Sequence, residues 1–338
     1  MPVLLSHNSA LELLRSVPPQ VRRYSAVEEP LELGQISTDG RFIRSVNFRE
    51  LGIRRSPLHV LLGKGGRAPR VDGVRCHWLG REVMPGGLLL ELAPDVYSVG
   101  PELCFMQMCA CTSLVGSVML GSELCGRYSH FSEMISGYYE RPPLTCVARI
   151  NEAIAALVGM YGLSHAREAV RWVCDGSRSP MESVSVAELH LPARYGGLAF
   201  IRPELNHEVR LDAAASAIAG TQSCFVDVAW PGQRRGVEYD SKLFHIDPAR
   251  DLRRREALEH MGWTINTIKL DQMVDHDELM RGVALFENAI PRQACGPAPP
   301  DKVEELHGRL LRATRYGVGI ERALFGVPVP RGAVRLCL

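Results

Sequence analysis

The apolar positions of this chain follow two periods, and the switches between them mark its elements. Leu58-His59-Val60-Leu61-Leu62 is a short apolar run of strand length, and Gly73-Val74-Arg75-Cys76-His77-Trp78 alternates like a half-exposed strand. Around them, helical spacing appears from Ser9, a candidate N-cap, through Arg15, and again after Pro101, where proline suits the first turn of a largely buried helix. Two further helices are expected over 144–161 and 165–174, the second closed by Asp175-Gly176. Ser179-Pro180-Met181-Glu182 then has serine, proline and glutamate in N-cap, N1 and N3 order, which predicts a capped helix running to about Leu191. Three consecutive strands are expected over 206–211, 223–230 and 236–240, then a helix over 249–261 stopped by Gly262, and a strand over 263–268. A last helix over 300–314 lies beyond a glycine- and proline-containing linker at 295–300.

This order predicts a mixed α/β (α+β) protein of three parts. Residues 1–174 form a mixed α/β region, residues 175–290 a three-layer domain around a central mixed sheet, and residues 291–338 a linker and helix. At 338 residues the chain is long enough for two domains, and its 46% hydrophobic and 23% charged residues are ordinary for a globular protein. A formal net charge of +1 means that no global basic field recruits nucleic acid. One local exception is residues 41–82, with ten Arg or Lys against three acids, which reads either as a phosphate-contacting surface or as a solvated arginine face.

Several classes of function find no support. Gly63-Lys64-Gly65-Gly66 lacks the spacing of a P-loop, and no run of about 18 apolar residues suggests a membrane span. The ten cysteines include no C-x-x-C pair, and the start of the chain does not read as a signal peptide. Cys104, Cys109, Cys111 and Cys125 fit no usual zinc spacing, so buried thiols in a reducing cytoplasm are the expectation.

The chemistry concentrates in Val226-Asp227-Val228-Ala229-Trp230 and Val237-Glu238-Tyr239-Asp240-Ser241. Glu238 and Asp240 share one face of a strand, with Cα atoms about 6.5–7 Å apart. A turn at Pro231-Gly232 brings Asp227 alongside on the neighbouring strand. Three carboxylates on one sheet face repel unless a cation lies between them, and hard oxygen donors suit Mg²⁺, or Mn²⁺ in its place. Glu182 has two readings: it caps the Ser179 backbone N–H, or it leans from its helix toward the metal.

These residues resemble, as a set, the PD-(D/E)XK nuclease superfamily, in the branch similar to very-short-patch-repair endonucleases. Glu238-Tyr239-Asp240, His245, Asp251, Arg254, Leu258 and Gly262 stand at matching spacing, and Ser-Pro-x-Glu and Val-Asp-Val-Ala-Trp match upstream. The resemblance covers about residues 177–273 and implies a restriction-endonuclease-like domain that hydrolyses phosphodiesters, DNA being the expected substrate. On that reading Glu182, Asp227, Glu238 and Asp240 hold the metal, and His245 acts as general base or leaving-group acid. Asp240 stands where many members carry lysine, so Lys242, two residues on, is the candidate to stabilise charge at phosphorus or else a solvated edge residue. Arg250, Arg253, Arg254 and Arg255 crowd one helix start as the nucleic-acid contacts, with Arg254 expected to pair with Asp251 at i,i+3.

The first half shows fewer points of similarity to AbiEi-type antitoxin proteins: Leu5-Ser6-His7-Asn8-Ser9-Ala10, the 58–62 strand, and Ser98-Val99-Gly100-Pro101-Glu102. The winged-helix segment often found ahead of this region in those proteins does not appear. That likeness implies a regulatory or binding role and a protein partner from a neighbouring gene. Two alternatives remain open beside the nuclease: a non-cleaving binder on the same fold, and a structural domain whose carboxylates only pair with nearby arginines.

Overall fold

A computed structural model describes residues 2–16, 25–36, 39–68, 71–131, 137–240 and 248–313. The chain is mixed α/β and divides into two compact units, one of Met1–Leu124 with Pro143–Arg171, the other of Cys125–Pro142 with the described residues from Trp172 onward.

In the first unit, β1 (Val3–Leu5) leads into α1 (His7–Leu14), followed by the short strands β2 (Ser25–Ala26) and β3 (Leu31–Glu32) and by α2 (Gly40–Ser45). Next come β4 (Leu58–Leu62), β5 (Val74–Trp78), β6 (Val83–Met84), β7 (Leu89–Ala93) and β8 (Val96–Val99). A six-stranded sheet forms in the order β2-β7-β8-β1-β4-β5. All of β4 is buried, its apolar residues and His59 alike, while β5 at the sheet edge is half exposed. Leu58 and Val60 pack with Val3, Leu5, Ile43 and Val96 on one face of this sheet. The helix started by Pro101 is α3 (Pro101–Cys109), buried along its whole length, and α4 (Leu114–Leu124), α5 (Val147–Ala156) and α6 (Leu163–Val170) complete the unit. The last two are shorter than their apolar patterns suggest, because Leu157 leaves helical geometry and Gly162, at φ 81°, sits at the head of α6. Cys104 and Cys109 are buried, and burial pushes each thiol up to about 12. Cys111, in the turn after α3, is exposed instead.

The second unit opens with the hairpin β9 (Tyr128–His130) and β10 (Tyr138–Glu140) and continues with α7 (Pro180–His190). Every residue of α7 is buried. The hairpin is tied to it through Tyr128 Oη and Ser183 Oγ, 3.0 Å apart, although residues 125–142 precede α7 by a long stretch of chain. β11 (Glu204–Arg210), α8 (Ala213–Ala219), β12 (Ser223–Trp230), β13 (Arg235–Asp240), α9 (Pro248–His260) and β14 (Thr264–Lys269) follow. The four strands make one mixed sheet in chain order, antiparallel from β11 to β13 and parallel between β13 and β14. The parallel step is made possible by α9 as the crossover.

The expected run of three uninterrupted strands is corrected by α8. Its start and stop were written in the chain: the Asp212 carboxylate accepts the Ala215 N–H at 2.8 Å, and Gly220 ends the helix at φ 69°. One face of the sheet packs Val209, Cys224, Val226 and Ala229 against Leu258 of α9 and Trp263. Gly236 is required there, since a Cβ would lie 2.4 Å from Val226 Cγ1.

α10 (Leu270–Val274), α11 (His276–Ala284) and α12 (Pro300–Ala313) complete the described chain. The last helix is part of the second unit rather than a separate appendage. His307 of α12 places Nδ1 2.5 Å from Glu188 Oε1 of α7, and Nε2 3.2 Å from the Val274 carbonyl. Both ring nitrogens thus face oxygens that can accept, an arrangement that favours the doubly protonated ring. Burial by itself lowers the imidazole pKa, but the hydrogen bond and charge of Glu188 outweigh it and raise the value above 6.5. The stabilisation is therefore complete below the unfolded value and fades as pH rises through the raised folded one. Glu188→Gln is expected to cost about 3 kcal/mol in urea unfolding near pH 6, and much less near pH 9. A cost that is the same at both pH values would show that the pair is not ionic.

Candidate carboxylate site at the end of the sheet

Asp227 occupies an interruption in the sheet. The register between β11 and β12 runs Leu205 to Val228 and resumes at His207 to Val226, skipping the position where Asn206 faces Asp227. Asn206 has φ 49°, in the left-handed region that asparagine tolerates better than most residues. On the other side, pairing of β12 with β13 ends at Val228–Val237. The Asp227 side chain fills that gap, its Oδ2 accepting the Tyr239 N–H at 3.0 Å. β13 itself continues along β14 as far as Asp240 and Lys269, so Glu238 stays on a well-supported strand.

Glu182 joins from the first turn of α7. Ser179 Oγ accepts the Glu182 N–H at 3.2 Å, the N-cap bond the sequence predicts. The return bond differs, because the Glu182 carboxylate accepts the N–H of Arg178, at 2.8 Å, rather than that of Ser179. The Ser179 hydroxyl donates to Oε1 at 3.2 Å and Asn206 Nδ2 to Oε2 at 3.0 Å. Capping and facing Asp227 thus do not exclude each other: the carboxylate does both. Asn206 also donates to the Gly176 carbonyl at 3.0 Å, which locks its amide between α7 and the sheet. The sequence reading missed this residue, and its signal was an asparagine, tolerant of left-handed backbone, standing inside a strand.

The three carboxylates repel one another through a buried setting. Burial, then the charge of Asp227, pushes Glu182 up to about 7. Burial, then the charge of Glu238, pushes Asp227 up to about 6. Glu238 is the member that has a counter-ion. Arg254 Nη1 donates to its Oε2 at 2.8 Å and Nη2 to its Oε1 at 2.5 Å, a two-pronged pair, and Nη2 also bonds the Phe225 carbonyl. The expected Arg254–Asp251 pair is thereby overturned. A guanidinium finds more in a half-buried carboxylate that neighbours other carboxylates than in an exposed acid one turn away on its own helix. Arg250, Arg253 and Arg255 are exposed, and Arg255 donates to Thr267 Oγ1 at 3.0 Å. Among the described residues Arg253 has no hydrogen bond or ion pair.

Of the sequence-predicted site, Glu182, Asp227 and Glu238 are brought together. Asp240 ends β13, but its side chain, like all of Lys242 and His245, lies outside the described residues. No group of three His, Cys, Asp or Glu side chains stands in metal-holding geometry among the described residues. The donor set nonetheless suits a hard cation such as Mg²⁺: it is all carboxylate oxygen, and two of its members are pushed toward protonation by burial and a repulsion that a cation would relieve.

Comparison with known proteins adds relatives without roles. Two uncharacterized proteins of Mycobacterium tuberculosis, from strains CDC 1551 / Oshkosh and ATCC 25618 / H37Rv, are each 33% identical to the chain over 129 residues. The match covers 37% of this chain and 43% of each relative, so the chain spans less than half of their length. No protein-family model matches the chain, and no solved structure matches it.

Raised carboxylate pKa values have a definite consequence for stability. Between the ordinary values of 4.5 and 3.8 and the folded ones of about 7 and 6, the folded chain binds protons that the unfolded chain does not. Stability from these groups therefore falls as pH rises through that window. Asp227→Asn, which keeps an acceptor for Tyr239, should raise the thermal midpoint of the metal-free protein at about pH 8, and the gain should shrink toward about pH 5. A midpoint difference independent of pH would mean that the three carboxylates do not interact.

Proposed function

We propose that the second unit is a metal-dependent endonuclease of PD-(D/E)XK type, hydrolysing phosphodiester bonds in nucleic acid, DNA first among the candidates. The observation that carries this reading is the convergence of Glu182, Asp227 and Glu238 from a helix and two neighbouring strands, with the pKa of Glu182 driven up by burial and Asp227, and that of Asp227 by burial and Glu238. A purely structural cluster would not retain repelling carboxylates in a buried setting when neutral side chains pack at lower cost.

Asp227, Glu238, Glu182 and Asp240 would hold Mg²⁺, or Mn²⁺ in its place. When bound, the ion supplies charge for a phosphate oxygen and a more acidic water. The protein's own groups do the rest. The Tyr239 N–H orients the Asp227 carboxylate, and Asn206 with the Arg178 N–H orients that of Glu182. Arg254 fixes the Glu238 side chain, which makes it a positioning residue rather than a phosphate contact. Arg250, Arg253 and Arg255, all exposed, would contact phosphates, and His245 and Lys242 would act as proton carrier and charge stabiliser.

One observation favours a second reading. Both oxygens of Glu238 are engaged by Arg254, an arrangement that also suits a nuclease-like unit that binds nucleic acid or a partner protein from a neighbouring gene without cutting. The two readings diverge when metal is added. For the endonuclease, Mg²⁺ or Mn²⁺ raises the thermal midpoint, with a gain of about 2.7 kcal/mol once the ion exceeds its Kd a hundredfold. Labelled DNA should then be cut, with Asp227→Ala and Glu238→Ala losing both effects and Asp240→Ala losing them less completely. His245→Ala is expected to slow cleavage while leaving metal binding intact. An unchanged midpoint with either ion, together with DNA retained but uncut, would establish the non-cleaving binder.

A further inference from the structure

The first unit contains a second chemical cluster, independent of the carboxylates. β4 and β5 run parallel with His59 beside Arg75 and Leu61 beside His77. The two-residue period of β5 puts Arg75 and His77 on one face, and the register puts His59 on that face too. His7, the first residue of α1, follows β1, which lies next to β4, and the Ser6 N–H bonds the His59 carbonyl at 3.0 Å. The three imidazoles then form a bent column, with His7 stacked face to face on His77 and His59 edge to edge with His77 in nearly the same plane, 6.2 Å from His7 between centroids. The His7 and His77 ring centroids are 3.5 Å apart with planes 15° from parallel, and those of His59 and His77 are 5.0 Å apart at 19°. Nδ1 of His59 lies 2.9 Å from Nε2 of His77, so one proton sits between them.

The local backbone is held in place for this column. His7 has φ 47°, a left-handed conformation that costs a non-glycine residue free energy and persists only where its surroundings enforce it. Gln107 of α3 supplies part of that enforcement, its Oε1 accepting the His7 N–H at 3.0 Å. Gln107 is only 5% exposed, yet its Nε2 has no hydrogen-bond partner among the described residues.

The surroundings are one-sided. Burial, followed by mutual repulsion and Arg75, lowers His7 to about 3 and His77 to about 4, and burial followed by Arg75 lowers His59. No carboxylate is among the groups that act on the three rings. Arg75 is exposed and makes no hydrogen bond or ion pair among the described residues. The cluster thus gathers a guanidinium fork, ring N–H groups and an unpartnered amide donor, with no negative charge to meet them.

We propose that Arg75, His7, His59, His77 and Gln107 form a binding site for a phosphate-class anion. Arg75 would grip it with its two-pronged fork, and single hydrogen bonds would come from the Gln107 amide, from His7, and from whichever of His59 and His77 does not spend its one N–H on the bond between them. A transition-metal site is the weaker use of the same rings. In-plane lone pairs of two stacked imidazoles run side by side instead of converging, and the gap between His59 and His77 is filled by a proton. The ten Arg or Lys of residues 41–82 surround this cluster in sequence, which suits an anion carried by a nucleic-acid backbone as well as free phosphate.

Histidine side-chain NMR of the full chain, titrated with inorganic phosphate, with a short single-stranded oligonucleotide and with Zn²⁺, tests this. Phosphate should shift the His7, His59 and His77 ring signals together, and Arg75→Ala, a change at an exposed position, should weaken its affinity about tenfold while leaving the fold unchanged. If the oligonucleotide shifts the same signals and competes with phosphate, the anion comes from nucleic acid; if phosphate acts and the oligonucleotide does not, free phosphate is the ligand. Either result supports the site. Ring signals that respond to Zn²⁺ and not to phosphate, or phosphate affinity unaltered in both Arg75→Ala and His77→Gln, would overturn it. A Glu238→Gln chain should bind phosphate like the parent, which separates this site from the carboxylate site.

Discussion

The bond from the Tyr239 N–H to the Asp227 carboxylate is the contact around which the second unit is organised. A β-ladder that stops leaves backbone donors unpaired, and a buried N–H without an acceptor is costly. Here the side chain of Asp227 takes over from the backbone where β12 and β13 part, and the cost of the interruption becomes the means of holding a carboxylate in one orientation. Asn206 does the corresponding work on the β11 side. Its left-handed backbone breaks the pairing, and its amide is redirected to Glu182 and to the Gly176 carbonyl. The site is thus built from places where the sheet gives up its own hydrogen bonds.

Charge balance is the second constraint. Three carboxylates share the site, and Arg254, the guanidinium that pairs directly with one of them, is committed to Glu238, while Arg178 reaches Asp227 through its charge. Asp227 and Glu182 are left to share their repulsion through a buried setting, and the upward shift of both carboxyls is the molecule's own answer when no other cation is at hand. The contrast with Glu188 and His307 is instructive. There too a buried glutamate on α7 faces a titrating partner, but the partner is cationic and has acceptors for both ring nitrogens, so the pair ties α12 to α7 instead of storing repulsion. One helix therefore carries a stabilising carboxylate near its end and a strained one at its start.

Much of the second unit was legible along the chain because its signals are local. Proline at N1, serine at N-cap, Gly262 at φ 77° and the apolar runs of 223–230 and 263–268 each act within a few residues, and the observed elements begin and end within two residues of where those signals lie. The helix α8 was legible by the same grammar, from Asp212 to Gly220, but a strand-dominated reading passed over it. The pairing of Arg254 was misread for the opposite reason. Spacing of i,i+3 names a partner on the same helix, whereas the choice between two carboxylates depends on burial and on the other charges nearby, and neither is written in the spacing.

By itself the sequence determined the order of elements in the second unit, the turn between β12 and β13, and the facing of Asp227 and Glu238, since period two and a short turn leave little other choice. Tertiary structure decided what those residues meet. It took packing of α7 against the sheet to bring Glu182 to Asp227, a left-handed asparagine to aim an amide between them, and the crossover helix to set Arg254 on Glu238. In the first unit it took the parallel register of β4 and β5 to set His59 and His77 edge to edge, and the course of the chain from β1 into α1 to lay His7 over His77. These contacts join residues from separate elements, and a contact of that kind is fixed by the burial and desolvation of whole surfaces, which no short window of sequence contains.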